Sequence, residues 1–129
     1  TYVGRGYTPA FTANMSAIAG RIGRGEPVLL VEGPDDICTP LLMDAAPQDE
    51  APHCLGASVR RRDLLAARDI AALLGRPVAP GALLTLEVPV LARLRAGFRD
   101  GATRSACAGC AWRALCSDVA ARGFRGALL

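Results

Sequence analysis

Phe11, Met15, Ile18 and Ile22 recur at helical spacing and place one apolar stripe along a helix. Thr8 precedes it as a capping residue. Pro9 suits the first helical position, where its missing N–H costs nothing. Gly23 and Gly25 supply the stop. Residues 27–31, Pro-Val-Leu-Leu-Val, form a short apolar run that reads as a buried strand. It ends at Glu32-Gly33-Pro34-Asp35-Asp36, a strong turn signal. The stretch from Ile37 to Leu42 predicts a single helical turn, and Asp44 to His53, rich in Pro, Asp and Ala, predicts a surface loop. A second helix is expected from a Ser58 cap to about Leu74, with Leu64, Ala67, Ala71 and Leu74 along one side and Gly75 at its end. Residues 76–81 show no periodicity and read as a loop. A third helix starts near Glu87 or Pro89, carries Val90, Leu91, Leu94 and Phe98, and stops at Asp100-Gly101. A cysteine-bearing segment and a short tail complete the chain, without internal repeat or low-complexity tract.

The chain has 129 residues, which fits one domain, residues 1–129. With 51% hydrophobic residues it is not a disordered chain. The pattern predicts a small α+β domain, mostly helical, with one or two short strands around Val28–Val31. No apolar run approaches the roughly 18 residues that span a bilayer, so no membrane association is expected.

The net charge is +3 and all 15 basic residues are arginine, which with the many alanines suggests a GC-rich bacterial genome. The arginines are scattered except for Arg60, Arg61 and Arg62. Aromatic residues make up only 5%, so the dense basic face and stacking platform of a nucleic-acid binder are missing. The triplet reads as a solvated face before it reads as a contact for an acidic partner. The chain starts without Met and without a signal-peptide pattern, so the expected compartment is the cytoplasm.

Five cysteines are an odd number, unlike a secreted disulfide framework. In a reducing compartment clustered cysteines bind metal or do redox work. The segment 104–118 contains Cys107-Ala108-Gly109-Cys110-Ala111-Trp112-Arg113-Ala114-Leu115-Cys116. Two intervening residues let Cys107 and Cys110 face one small volume. Gly109 provides backbone freedom for a tight loop. Cys116 can return to the same centre through a loop or a turn and a half of helix. Thiolates this close repel one another unless a cation neutralises them.

Three thiolates do not complete a four-ligand site, so Cys38 and Cys54 are candidates for the fourth. An iron–sulfur cluster takes four cysteines and gathers them from separate segments. Zinc sites usually use two close pairs, and only one close pair is present, although zinc with His53 as partner is an alternative. Trp112 and Leu115 lie between ligands, placed to exclude water. Asp35 and Asp36 follow the predicted strand. A turn with a helix cap explains them; cation binding or proton transfer is the sharper alternative. Gly4-Arg5-Gly6-Tyr7 lacks the Lys-Ser/Thr that a phosphate loop requires.

Residues 1–11, then Gly33-Pro34-Asp35-Asp36-Ile37-Cys38, then the Cys107, Cys110, Trp112 and Cys116 pattern resemble the family called domain of unknown function 1284. These are short prokaryotic proteins, some labelled iron–sulfur or ferredoxin-like. Members of that family usually carry a His-His and a cysteine just upstream of the segment matching Thr1, a stretch absent from this sequence. The resemblance also implies a second cysteine three residues after Cys38, where this chain has Leu41. The spacing of the three C-terminal cysteines is also similar to the ligand run of auxiliary four-iron clusters in some radical enzymes.

The expectation is a soluble iron–sulfur protein that transfers one electron to a protein partner or senses redox state. Its ligands would be Cys107, Cys110 and Cys116 with Cys38 or Cys54. A four-iron cluster is the first choice and a two-iron cluster the second. The alternative is a zinc-stabilised interaction module without redox activity, and a third reading is an enzyme using Asp35, Asp36 and an open iron position.

Overall fold

A computed structural model describes residues 1–43 and 53–129. The loop expected from Asp44 onward therefore lies, through residue 52, outside the described residues, as does the side chain of His53.

Helix α1 spans Pro9–Gly23. The Thr8 hydroxyl accepts the Phe11 N–H at 3.1 Å, the capping bond its position predicts. Phe11, Met15 and Ile18 are half-buried and Ile22 is buried, so the predicted stripe faces inward. Strand β1 is only Val28–Leu29. It pairs antiparallel with β2, Leu83–Leu84, matching Val28 to Leu84 and Leu29 to Leu83. The buried strand expected over 27–31 is thus a two-residue arm of an exposed ribbon. Leu29 is 56% and Leu83 62% exposed. The error has a physical reason: an apolar run marks a strand but does not say whether anything covers its second face.

Helix α2, Thr39–Met43, is the expected short turn. A 3-10 turn, His53–Leu55, leads into α3, Ala57–Leu74. Its cap is Gly56, not Ser58, which lies inside the helix. Gly75 ends it at φ 69°, as its position predicts. On α3 the expected Ala67, Ala71 and Leu74 are half-buried, and the departure is at Leu64 and Asp69. Leu64 is 73% exposed, whereas Asp69 is buried. Helix α4, Val88–Arg99, presents half-buried Val90, Leu91, Leu94 and Phe98. It lies close against α3 at Gly97, where a Cβ would come within 2.7 Å of Leu73. A second 3-10 turn, Ser105–Cys107, precedes α5, Arg113–Ala121.

The architecture is α+β and mostly helical. The main apolar cluster sits at the C-terminal end. Val119, Ala120 and Phe124 are buried there, with Val3, Phe98, Leu115 and Ala127 packed around them. Among the described residues no large side chain is fully buried. A core this thin leaves the position of the cysteine segment to polar contacts more than to apolar packing.

Candidate metal centre

Cys107 and Cys110 are the first and last residues of one tight turn. Ala108 has φ −63° and ψ 122°, and Gly109 has φ 67°. These values define a type II turn, which requires a left-handed residue at its third position. The Cys110 N–H closes it on the Cys107 carbonyl at 3.2 Å. The glycine between the cysteines therefore has the role its position predicts. Cys116 lies in α5, its N–H bonded to the Trp112 carbonyl at 2.9 Å.

Helix α3 holds this segment at two points. Arg62 donates from Nη2 to the Gly109 carbonyl at 3.0 Å. Asp69 accepts the Ser105 backbone N–H on Oδ2 at 3.0 Å. On its Oδ1 it accepts Arg68 Nη2, also at 3.0 Å, and that guanidinium reaches the Ser105 hydroxyl at 3.2 Å. Ser105, foremost by its hydroxyl, and then Arg68 hold the Asp69 carboxyl below the usual carboxylate range, against the opposing effect of burial. From the other side, Arg104 donates to the Ser117 hydroxyl, next to Cys116, and its guanidinium lies 4.6 Å from the centre of the Phe98 ring.

Cys116 has a further neighbour at the start of the chain, where the Thr1 hydroxyl lies 3.6 Å from its Sγ. Trp112 donates its indole N–H to the Tyr7 hydroxyl. The cysteine segment is thereby attached to α3, α4, α5 and residues 1–7.

Cys38 and Cys54 are near each other. Burial pushes the Cys38 thiol up, opposed by a backbone hydrogen bond at Asp35, and negative charge on Asp35 or Cys54 pushes it up further. Cys54 is buried at 6% exposure and precedes α3 by three residues. Asp35 forms the expected turn. Its Oδ1 accepts the Ile37 N–H at 2.9 Å and its carbonyl accepts the Cys38 N–H at 2.9 Å. The neighbouring Asp36 carbonyl accepts from Asn14 at 2.8 Å. Asp63, near Asp35, has its carboxyl raised by burial and by that charge.

All five cysteines are free thiols. Among the described residues no three His, Cys, Asp or Glu side chains gather into one group able to hold a metal ion. Cys107 and Cys110 lie on one turn and Cys116 on the helix that follows, but the three sulfurs are not gathered into one site, while Cys38 and Cys54 neighbour each other. The donor chemistry fits a thiophilic centre, since every candidate donor among Cys107, Cys110 and Cys116 is sulfur and the turn is already closed by the backbone.

The residues that hold the segment, Arg62, Asp69 and Arg104, escaped the sequence reading. Arg62 sits in a triplet that resembles a solvated face, and Asp69 looks like any helical carboxylate. For Arg62 and Asp69 the available signal was their spacing of seven, which places them on one side of a helix.

The fold and site define a small α+β protein with a cysteine-bearing loop braced against its longest helix. The family model described as "Protein of unknown function (DUF1284)" matches residues 6–116, and the chain belongs to that family. No curated protein and no solved structure matches the chain. No helix among the described residues is long and apolar enough to cross a membrane.

Proposed function

We propose that this protein is an iron–sulfur protein of the cytoplasm, with Cys107, Cys110 and Cys116 as three ligands and Cys54 or Cys38 as the fourth. Its role is one-electron transfer to a protein partner, or redox sensing. The observation that carries the reading is the type II turn between Cys107 and Cys110, with Gly109 in the left-handed region. Such a turn brings the two cysteine Cα atoms within about 7 Å of each other, close enough to serve one centre.

A bound cluster would supply the one-electron redox chemistry, first as a four-iron and second as a two-iron centre. The chain's own residues do the rest. Cys107 and Cys110 bind from the turn and Cys116 from the helix that follows. Trp112 and Leu115 limit water, which tunes potential. Arg62 and Arg104 put positive charge beside a centre that thiolates make negative. The fourth thiol would come from the Cys38–Cys54 neighbourhood, so loading would draw the stretch before α3 toward the cysteine segment.

Anaerobic purification with iron and sulfide analysis tests the reading. Expected are a brown protein with broad visible absorption that bleaches on dithionite, and loss of iron in Cys110→Ser. Single Cys38→Ser and Cys54→Ser variants, scored by iron content, identify the fourth ligand. Colourless protein with stoichiometric zinc would refute the cluster and identify a zinc-stabilised interaction module.

A further inference from the structure

We infer that Arg62 and Asp69 form a two-point clamp on α3 that sets the geometry of the Cys107–Cys110 turn before any metal binds. The two residues are seven apart in one helix. Seven residues advance about 700°, within about 20° of two full turns, so both side chains leave the same face, about 10.5 Å apart along the axis. Half-buried Leu65 and Ala66 lie on that face between them. The segment they grip is short. Asp69 takes the Ser105 N–H and Arg62 takes the Gly109 carbonyl, so Cys107 sits midway between the two holding points.

The two ends differ in chemistry. Asp69 is buried at 8% exposure, and a carboxylate in that position is tolerable only while its hydrogen bonds are made. Moving the 3-10 turn away would leave it facing Arg68 alone. The Asp69 contact therefore enforces register instead of merely adding affinity. Arg62 acts at the other end. Its bond to the Gly109 carbonyl holds the Gly109–Cys110 peptide, whose N–H closes the turn on the Cys107 carbonyl. No bond between α3 and Cys116 itself is present among the described residues, so the clamp acts on two of the three sulfurs. Arg62 and Asp69 are positioning residues, since neither supplies a donor atom.

The link to metal binding rests on the function proposed above, whereas the clamp on the turn stands on the hydrogen bonds themselves. The test separates them. Alkylation of each cysteine in the full-length metal-free chain is followed by mass spectrometry for wild type, Asp69→Ala, Arg62→Met and Arg62→Lys. Losing one hydrogen bond to a charged group is worth on the order of tenfold. Cys107 and Cys110 should therefore react about tenfold faster in Asp69→Ala and Arg62→Met, with Cys116, Cys38 and Cys54 unchanged. Arg62→Lys, which keeps a donor for the Gly109 carbonyl, should restore the wild-type rate. A uniform rise at all five cysteines, or no change, would overturn the clamp. Cadmium(II) titration of the same proteins by thiolate absorption should show weaker binding in the two disabled variants. A wild-type chain that takes up no cadmium would refute the proposed centre, while the alkylation pattern would still decide the clamp.

Discussion

The Trp112 indole donates to the Tyr7 hydroxyl at 3.3 Å, and their rings meet edge to face with centres 5.8 Å apart. Tyr7 makes a second such contact with Phe11, at 5.2 Å. The cysteine segment and the start of α1 are thus joined by a three-ring chain, in which each pair contributes about 0.5–1.5 kcal/mol beyond its buried area.

Trp112 is the one tryptophan and stands between Cys110 and Cys116. Its fluorescence therefore reports on the centre. Reconstitution with iron and sulfide should quench most of the emission, whereas zinc, which has no redox activity or visible absorption, should leave it nearly intact. Unchanged emission in a protein that has taken up iron and sulfide would place the cluster elsewhere.

Gly109→Ala should weaken the turn without creating a clash. A Cβ there would meet nothing within 4 Å, so the penalty is purely that of the left-handed backbone, about 1–2 kcal/mol. Cadmium affinity should fall about tenfold, in keeping with a penalty of that size. Retained affinity would show that the turn type does not matter.

Asp69 gives the stability of the protein a defined dependence on acid. Its carboxyl is held below the unfolded value by Ser105 and Arg68. Its contribution is therefore complete above the unfolded pKa of about 3.9, and it is lost as pH falls through the lower folded value. Urea midpoints measured across acid pH should show wild type more stable than Asp69→Asn near neutrality, with the gap closing toward strong acid. A gap independent of pH would mean that the carboxylate's charge is irrelevant.

Phe124 combines a core ring with a left-handed backbone. Its φ is 62°, and its ring packs edge to face on Phe98 at 6.4 Å with Arg95 over it at 5.4 Å. Phe124→Ala removes the ring but keeps the backbone strain, so a loss of about 3 kcal/mol is expected in urea unfolding. Phe124→Gly should be less damaging than Phe124→Ala by about 1 kcal/mol, the reverse of the usual order, because glycine adopts that backbone freely. The ordinary order would argue against strain at this residue.

Periodicity and end signals made the helices legible. Thr8-Pro9 placed the start of α1, Gly75 the end of α3, and Asp100-Gly101 the end of α4. The ribbon was half visible: Val28–Leu29 stood out as an apolar run, but its partner Leu83–Leu84 is too short to carry a pattern. On α3, Ala67, Ala71 and Leu74 were placed correctly, but Leu64 was taken as inward and Asp69 overlooked, because Leu64 is more apolar, yet Asp69 is the residue with hydrogen-bond partners inside. Apolar counting cannot anticipate a buried carboxylate whose partners come from residues 36 positions away. At the cysteine segment the Gly109 turn was legible from residue type alone. The proximity of Cys38 and Cys54 was not, because it depends on how the chain returns from α2 to α3.

The meeting of Thr1 with Cys116 and of Tyr7 with Trp112 joins residues 115 and 105 positions apart. Closing a loop costs conformational entropy that grows slowly with its length, and the cost is recovered only when both ends are already shaped. Contacts of that sequence separation are expected to form after α3 has gathered the cysteine segment. By the same reasoning, residues 1–7 should be the first to exchange their amide hydrogens, opening a route to Cys116 while the rest of the chain stays folded.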